Sequence, residues 1–178
     1  MSEPFPEAAP DFDDPLGLLR ACHQRMLGHC EILEKLARHM ELSGVDKDAL
    51  AAARKVHTYF STAAVLHHQD EEQDLFPLLV RSTLKMAELI HGLKQDHERL
   101  DQAWRDIAPM LAQPSHIGDP QQFTVLANNF AELYRDHIAK ENEELLDRAQ
   151  HMLSSEQLKK IGKAMKERRQ RPAQNDWD

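Results

Sequence analysis

Apolar residues recur at alternating intervals of three and four positions through four long segments of this chain, and this pattern constrains the fold more than any other feature. In the first segment the run is Leu16, Leu19, His23, Met26, Cys30, Leu33, Ala37 and Met40. This spacing places the side chains along one face of an α-helix, and no alternating strand pattern competes with it. We therefore predict four amphipathic helices that pack their apolar faces together.

Helix caps and helix breakers set the predicted boundaries. Asp14 and Asp119 each precede a proline, which is a typical helix start, and Ser154 with Gln157 forms a capping-box pattern. The predicted helices span about 15–43, 46–80, 83–112 and 120–152, and a short fifth helix spans about 154–169. The short connections predict an all-α, up-down-up-down four-helix bundle with a short C-terminal fifth helix. The predicted domains are a flexible acidic arm at 1–14, the bundle at 15–152, and a short basic helix and tail at 153–178.

Charge and cysteine content narrow the class of protein. The formal net charge of -8 argues against nucleic acid as a partner, because such binders need a basic surface. No segment is apolar enough for a membrane span, and the acidic, proline-containing start is unlike a signal peptide. We therefore expect a cytoplasmic protein without stable membrane insertion. Cys22 and Cys30 are too far apart on one predicted helix for a disulfide, so reduced, packed thiols are expected.

Each of the four apolar faces is interrupted by a histidine, and two of the faces also carry a glutamate one turn later. The six residues are His23, His67, Glu71, His97, His137 and Glu141. In an apolar core, two carboxylates and four imidazoles must pair, protonate or bind a cation. Imidazole nitrogen with carboxylate oxygen suits Fe, Mn or Zn. Because six ligands exceed the four of a tetrahedral zinc site, the pattern favours two metal ions.

The residues around these positions resemble the hemerythrin-like, or HHE cation-binding, domain family. The similar segments are Leu19–His23, His67–Pro77, Asp96–Leu100 and His137–Asn142, and the resemblance extends over about residues 15–152. It implies a four-helix bundle with a non-haem di-iron centre. Within that centre, the four histidines would be terminal ligands, and Glu71 and Glu141 would be bridging carboxylates. Manganese and zinc are alternatives to the two iron ions.

One position departs from the pattern of oxygen-carrying hemerythrins. These are expected to have a fifth histidine one turn before the ligand on the third helix, and Leu93 occupies that place here. The resemblance then implies an open or water-filled position on one iron, which favours redox or gas-reactive chemistry over O2 storage. Alternatively, His68 turns inward and supplies the missing ligand, although it lies about 100° around the helix from His67.

Other polar residues receive simpler interpretations. A ferritin-like di-iron bundle needs Glu-x-x-His on two helices, and the one match, Glu88 to His91, lies off the apolar face. We predict that Asp70 and Glu72 are surface charges. In the fifth helix, we expect the apolar stripe to pack on the bundle and the basic residues to be solvated. The sequence leaves open whether Tyr59 or Tyr134 is an additional ligand.

The predicted function is binding or sensing of O2, or of a related small oxidant such as NO or peroxide, at the His/Glu centre. The alternative is a di-iron oxidoreductase, or a protein that donates iron to damaged iron centres. A metal-free helical interaction module is the third interpretation and the least favoured, because six ligand-type residues converge. The sequence indicates no particular protein partner.

Overall fold

A computed structural model describes residues 9–171, and every regular element within that range is helical. The elements are α1 (Pro15–Ser43), α2 (Lys47–Ser61), α3 (Ala63–Gln69), the π-helical segment π1 (Asp70–Leu75), α4 (Phe76–Leu79), α5 (Leu84–Ala112), a 3-10 turn (Pro114–His116), α6 (Pro120–Lys140), the π-helical segment π2 (Glu141–Leu146), α7 (Asp147–Met152) and α8 (Ser155–Gln170). The elements α2 to α4 together form the second bundle helix, and α6, π2 and α7 form the fourth.

The helices begin where their caps predict. The Asp14 carboxylate accepts a hydrogen bond from the Gly17 amide, and Asp119 accepts from two amides of the first turn of α6. Ser154 and Gln157 form the expected capping box at the start of α8. Because these side chains satisfy amides that have no partner within the helix, they fix the helix ends. The predicted bounds of the first, third and fifth helices agree with the structure within one or two residues.

The four bundle helices close into a ring. Helix α1 packs against α2 and α6, and α5 packs against the same two helices from the opposite side. Because short connections join helices that are neighbours, successive helices run in alternating directions. The predicted four-helix bundle with a short fifth helix is confirmed. Within residues 9–171, no helix combines the length and the apolar composition that a bilayer crossing needs.

The second bundle helix is more irregular than predicted. It is interrupted at Thr62, whose hydroxyl donates to the Thr58 carbonyl at 2.6 Å. Beyond it, the Phe76 amide bonds to the Glu71 carbonyl, five residues earlier, which is the pattern of a π-turn. Pro77 lies in the first turn of α4, where a missing amide costs little. The helix therefore continues to Leu79, with a wide turn at π1.

Two apolar clusters fill the bundle on either side of a layer of polar side chains. One cluster includes Met26, Phe60, Leu100 and Phe130, and the other includes Leu19, Phe76, Leu93 and Leu145. The polar interruptions of the four helices meet between these clusters. The layer is consequently enclosed by close-packed apolar side chains, which limits the access of water.

The C-terminal helix α8 packs across α1 and π1. Ile161 and Met165 are buried, which confirms the packing of its apolar stripe. The prediction that its basic residues are solvated is wrong for Arg168 and Arg169, which both bind Asp70. Asp70 itself is 0% exposed, so the prediction of a surface charge is also wrong there. The reason in both cases is that α8 covers the outer face of π1.

Candidate metal centre

All six predicted site residues lie in the layer between the two apolar clusters, which we call the polar layer. Helix α1 supplies His23, α5 supplies His97, and the second and fourth bundle helices each supply a histidine and a glutamate. The six side chains belong to His23, His67, Glu71, His97, His137 and Glu141, and each of these residues is at most 3% exposed. Their convergence from four helices agrees with the pattern of interrupted apolar faces.

The donor atoms form two groups, each small enough to surround one metal ion. The first donor set consists of His23, His67, Glu71 and Glu141. The second donor set consists of His68, Glu71, His97 and His137. Within each set, the donor atoms lie within 4.8 Å of one another. The second set includes His68, which was only an alternative at the sequence level.

The two glutamates connect the two sets. Glu71 places Oε1 2.7 Å from His67 Nε2 and Oε2 3.2 Å from His97 Nε2. Glu141 places Oε2 3.0 Å from His23 Nε2 and Oε1 3.3 Å from His137 Nε2. Each carboxylate thus directs one oxygen toward each half of the layer. This is the arrangement that a carboxylate bridging two metal ions requires.

Two histidines each contact two consecutive residues of a π-segment, one residue at each ring nitrogen. His97 faces Glu71 through Nε2, and its Nδ1 donates to Glu72 Oε1 at 2.7 Å. His23 faces Glu141 through Nε2, and its Nδ1 lies 2.7 Å from Asn142 Oδ1. In the neutral ring that binds a metal, the proton stays on Nδ1 and the Nε2 lone pair points into the layer. Glu72 is therefore more than the predicted surface charge, although its side chain is 44% exposed.

Without a bound cation, histidine side chains of the polar layer remain protonated. Burial alone lowers the pKa of His23, but its contacts with Glu141 and Glu71 raise it to about 9. Burial likewise opposes the charge on His97, yet Glu71 and Glu72 raise its pKa to about 10. Burial and Glu71 act to raise the pKa of Glu141, but His137 and His23 hold it at about 2. The metal-free layer therefore holds imidazoliums at His23 and His97 beside its carboxylates, and a metal ion has to displace these protons.

Several buried polar atoms of the layer lack a hydrogen bond of regular geometry, although the carboxylate oxygens among them lie within 3.3 Å of imidazole nitrogens. They are His67 Nδ1, His68 Nε2, Glu71 Oε2, His137 Nδ1 and both carboxylate oxygens of Glu141. A buried polar atom without a partner costs about 1–3 kcal/mol, and native proteins rarely concentrate several in one place. The Nε2 atoms of the histidines also face each other in pairs. They lie 3.0 Å apart in His23 and His67, and 3.1 Å apart in His97 and His137. The donors present here therefore fit cations that accept nitrogen and oxygen ligands.

His68 and Leu93 are the two positions on which the sequence left alternatives. The His68 ring stacks on His97 with centroids 4.1 Å apart, and its Nε2 is buried. Burial and the neighbouring His97 lower the pKa of His68 to about 3, so the ring is neutral. Leu93 is fully buried in the apolar cluster beside the layer. The structure therefore brings His68 to the second donor set, where a fifth histidine would otherwise be expected.

The two tyrosines and His57 make different contacts around the layer. Tyr134 is buried, and its ring is nearly parallel to that of His68, with centroids 6.1 Å apart. The Tyr59 hydroxyl instead donates to the Cys22 carbonyl at 3.4 Å. His57 lies beside Trp104, with ring centroids 5.7 Å apart. His57 belongs to neither donor set in the described part of the chain.

The sequence reasoning missed Asn142 and underestimated Glu72. Each directly follows a layer glutamate, so its position beside that glutamate was the one signal available. In an ideal α-helix, neighbouring residues point about 100° apart, which places such a residue on the outer face. The wide turns of π1 and π2 and the approach of α5 and α1 allow both residues to reach the polar layer.

Comparison with known proteins agrees with this geometry. The profile of the hemerythrin HHE cation-binding domain matches residues 14–149, which include all of the layer residues. An uncharacterized protein of Haemophilus influenzae is 32% identical over 165 residues, covering 93% of this chain and 95% of that protein. The chain therefore belongs to the hemerythrin HHE cation-binding domain family.

Proposed function

We propose that this chain holds two iron ions in the polar layer and uses them to bind or sense O2 or a related small oxidant, such as NO or peroxide. The observation that carries this proposal is the placement of Glu71 and Glu141, each of which directs one oxygen toward each donor set. Two carboxylates oriented in this way are suited to a pair of cations more than to a single one.

The residues divide between the two ions as the donor sets do. His23 and His67 would hold one ion, and His68, His97 and His137 the other. Glu71 belongs to both donor sets, and Glu141, a member of the first, would reach the second through Oε1, which lies 3.3 Å from His137 Nε2. Mixed nitrogen and oxygen donors favour Fe, Mn or Zn over Mg or Ca. The layer as a whole offers more donors than the four that a tetrahedral ion such as zinc binds. When bound, iron supplies the capacity to change oxidation state and to bind small gases.

The surrounding residues fix the donors and exclude water. Asn142 and Glu72 orient His23 and His97 by accepting their Nδ1 protons. The negative charge of Glu72 also makes the His97 ring a stronger donor than a neutral partner would. The apolar clusters on both sides keep the layer poor in water, which strengthens its electrostatic interactions.

Metal analysis tests the assignment. Purified parent protein loaded with iron should contain about two ions per chain, and His97→Ala or Glu141→Ala should lower that content sharply. His91→Ala is the matched control, because His91 is an exposed histidine on the same helix as His97. Unchanged metal content in the two layer variants would contradict the proposal. An optical spectrum recorded before and after exposure to O2, NO or peroxide then tests the reactivity.

A second candidate is the enzymatic alternative, a di-iron oxidoreductase or an iron donor. A cavity of about 220 Å³ that reaches His68 and His97 favours it, because a diatomic ligand needs far less space. Multiple-turnover consumption of NO or peroxide with a supplied electron donor would support the oxidoreductase. Consumption that stops at one equivalent per centre supports binding or sensing, and release of iron during the reaction supports donation.

A cytoplasmic location forms part of the proposal. Cys22 and Cys30 are both buried and unpaired with each other. Free thiols of this kind are typical of proteins that remain in a reducing compartment.

A further inference from the structure

Two arginines of α8 hold the outer face of π1. Arg168 and Arg169 both donate to the buried carboxylate of Asp70. Arg168 also donates to Asp74 Oδ2 at 2.7 Å and to Gln73 Oε1 at 3.2 Å. Its guanidinium therefore joins the first residue of the π-segment to a residue one turn later, and only 12% of the arginine side chain is exposed.

The inner face of the same segment supplies two contacts to the candidate centre. Glu71 places Oε2 3.2 Å from His97 Nε2, and Glu72 accepts from Nδ1 of the same ring at 2.7 Å. In an ideal α-helix, two neighbouring residues would point about 100° apart. In π1 the Phe76 amide bonds to the Glu71 carbonyl, and such a wide turn is rare in proteins. The approach of both glutamates to one ring therefore depends on keeping this turn wide.

We propose that Arg168, together with Arg169, is a positioning residue that clamps the outer face of π1 and thereby holds Glu71 and Glu72 at the candidate centre. A guanidinium can form this clamp because its two terminal nitrogens bind two carboxylates at once. The inference rests on the proposed function, because it concerns ligands of the same centre. Helix α8 lies beyond residues 14–149, so the clamp comes from a segment outside the matched family domain.

An ion pair beside the other π-segment provides a matched control. Close to π2, Arg20 of α1 pairs with Asp147 at 2.5 Å, and these two side chains are 39% and 59% exposed. An exposed ion pair contributes little, whereas breaking a buried pair leaves a charge without compensation. Arg20→Ala and Arg168→Ala therefore each remove an arginine that pairs beside a π-segment, but only the second removes a buried clamp.

Hydrogen exchange of the metal-free protein tests the clamp directly. Peptides covering residues 70–76 should exchange about tenfold faster in Arg168→Ala than in the parent, because α8 no longer opposes the local opening of π1. Arg168→Lys keeps the charge but has a single nitrogen that cannot join both carboxylates, so it should show most of the same increase. Arg20→Ala should leave these peptides at the parent rate. Parent-like exchange in either Arg168 variant would overturn the inference.

Iron affinity shows whether the clamp acts on the centre. In a competition titration of Fe²⁺ with a chelator, Arg168→Ala should bind iron about tenfold more weakly than the parent, because two glutamates of the centre lose their outer support. Leu111→Ala is the stability control, since Leu111 is buried in the apolar cluster that contains no residue of α8. It should lower the free energy of unfolding and leave the iron affinity near the parent value. Equal losses of affinity in the two variants would reduce Arg168 to a structural role and overturn the proposal.

The clamp and the proposed function fail in different ways. Parent-like exchange and parent-like affinity in Arg168→Ala, in a protein that binds two iron ions, would refute the clamp alone. Faster exchange of π1 in Arg168→Ala, when the parent binds no iron, would refute the proposed function and leave the mechanical role of Arg168 in place.

Discussion

Removing the metal should make the stability of the bundle depend steeply on pH above neutrality. In the metal-free protein, the pKa of His23 is about 9 and that of His97 about 10, compared with 6.5 for an unperturbed histidine. A histidine whose pKa rises on folding adds stability while it is protonated. That contribution is fully present below the unfolded-state pKa and disappears as the pH rises through the folded-state pKa.

The expected loss follows from these values. Between about pH 7 and about pH 9, each of the two histidines loses about 2 kcal/mol of stabilisation. The pKa of His67 shifts in the same direction, because Glu71 and Cys22 outweigh the effect of burial. Since these imidazoles share the same carboxylates, their contributions are not additive, and a total of roughly 2–4 kcal/mol is reasonable. Such a loss is a large share of the stability of an ordinary domain.

The assay is urea unfolding of the metal-free protein, followed by circular dichroism at several pH values across this range. The metal-loaded protein is the internal control, because it contains the same cysteines and tyrosines but its imidazoles bind metal instead of protons. We expect the free energy of unfolding of the metal-free form to fall with pH and that of the loaded form to stay nearly constant. A metal-free protein with equal stability at both ends of the range would refute the idea that the layer stores protons.

Three further predictions concern residues around the layer. Asp70→Asn should destabilise the fold by about 2–4 kcal/mol in urea unfolding, because two arginines of α8 lose a buried partner, whereas Asp74→Asn should cost about 1 kcal/mol or less. Equal losses in the free energy of unfolding would mean that burial of the Asp70 carboxylate contributes nothing to stability. Asn142→Ala should weaken metal binding about tenfold in a competition titration with a chelator, because one imidazole loses its orienting acceptor. His68→Ala should lower the affinity of the second donor set in the same titration, and adding Leu93→His, one turn before the ligand on α5, should restore it. Parent-like affinity in His68→Ala would show that the second set is complete without this ring and that one metal position stays open.

The sequence predicts the bundle well because its signals are local and repeated. Each of the four bundle helices, and α8, starts with a side-chain cap, and each apolar face is long enough to be distinguished from a strand. The six layer residues follow from the same pattern, since burying a histidine or glutamate on an apolar face is costly unless an ion pair or a bound cation compensates it. Helical geometry determines which residues share one face of a helix, so this set can be identified from the sequence before the structure is known.

The environment of Asp70 was not predictable in this way. Projected on a helix, Asp70 falls outside the apolar face, which is why the pattern indicates a surface charge. Its partners Arg168 and Arg169 lie 98 and 99 residues later in the chain. Only the packing of α8 across π1 turns that outer face into an interior one. Pairings between distant elements depend on the tertiary arrangement, and a single sequence carries no local signal for them.

The two π-segments explain how His23 and His97 each gain a second contact that the helical pattern does not provide. In each segment, two consecutive residues reach the same histidine of a neighbouring helix, one at each ring nitrogen. The two halves of the layer therefore have the same design. They differ in one charge, because the acceptor of His97 is the carboxylate of Glu72 and that of His23 is the amide of Asn142. A carboxylate acceptor makes an imidazole more electron-rich, so we expect that an iron ion bound in the second donor set would be the easier of the two to oxidise. The cavity of about 220 Å³ is lined by His68 and His97, so it borders this more electron-rich half of the layer.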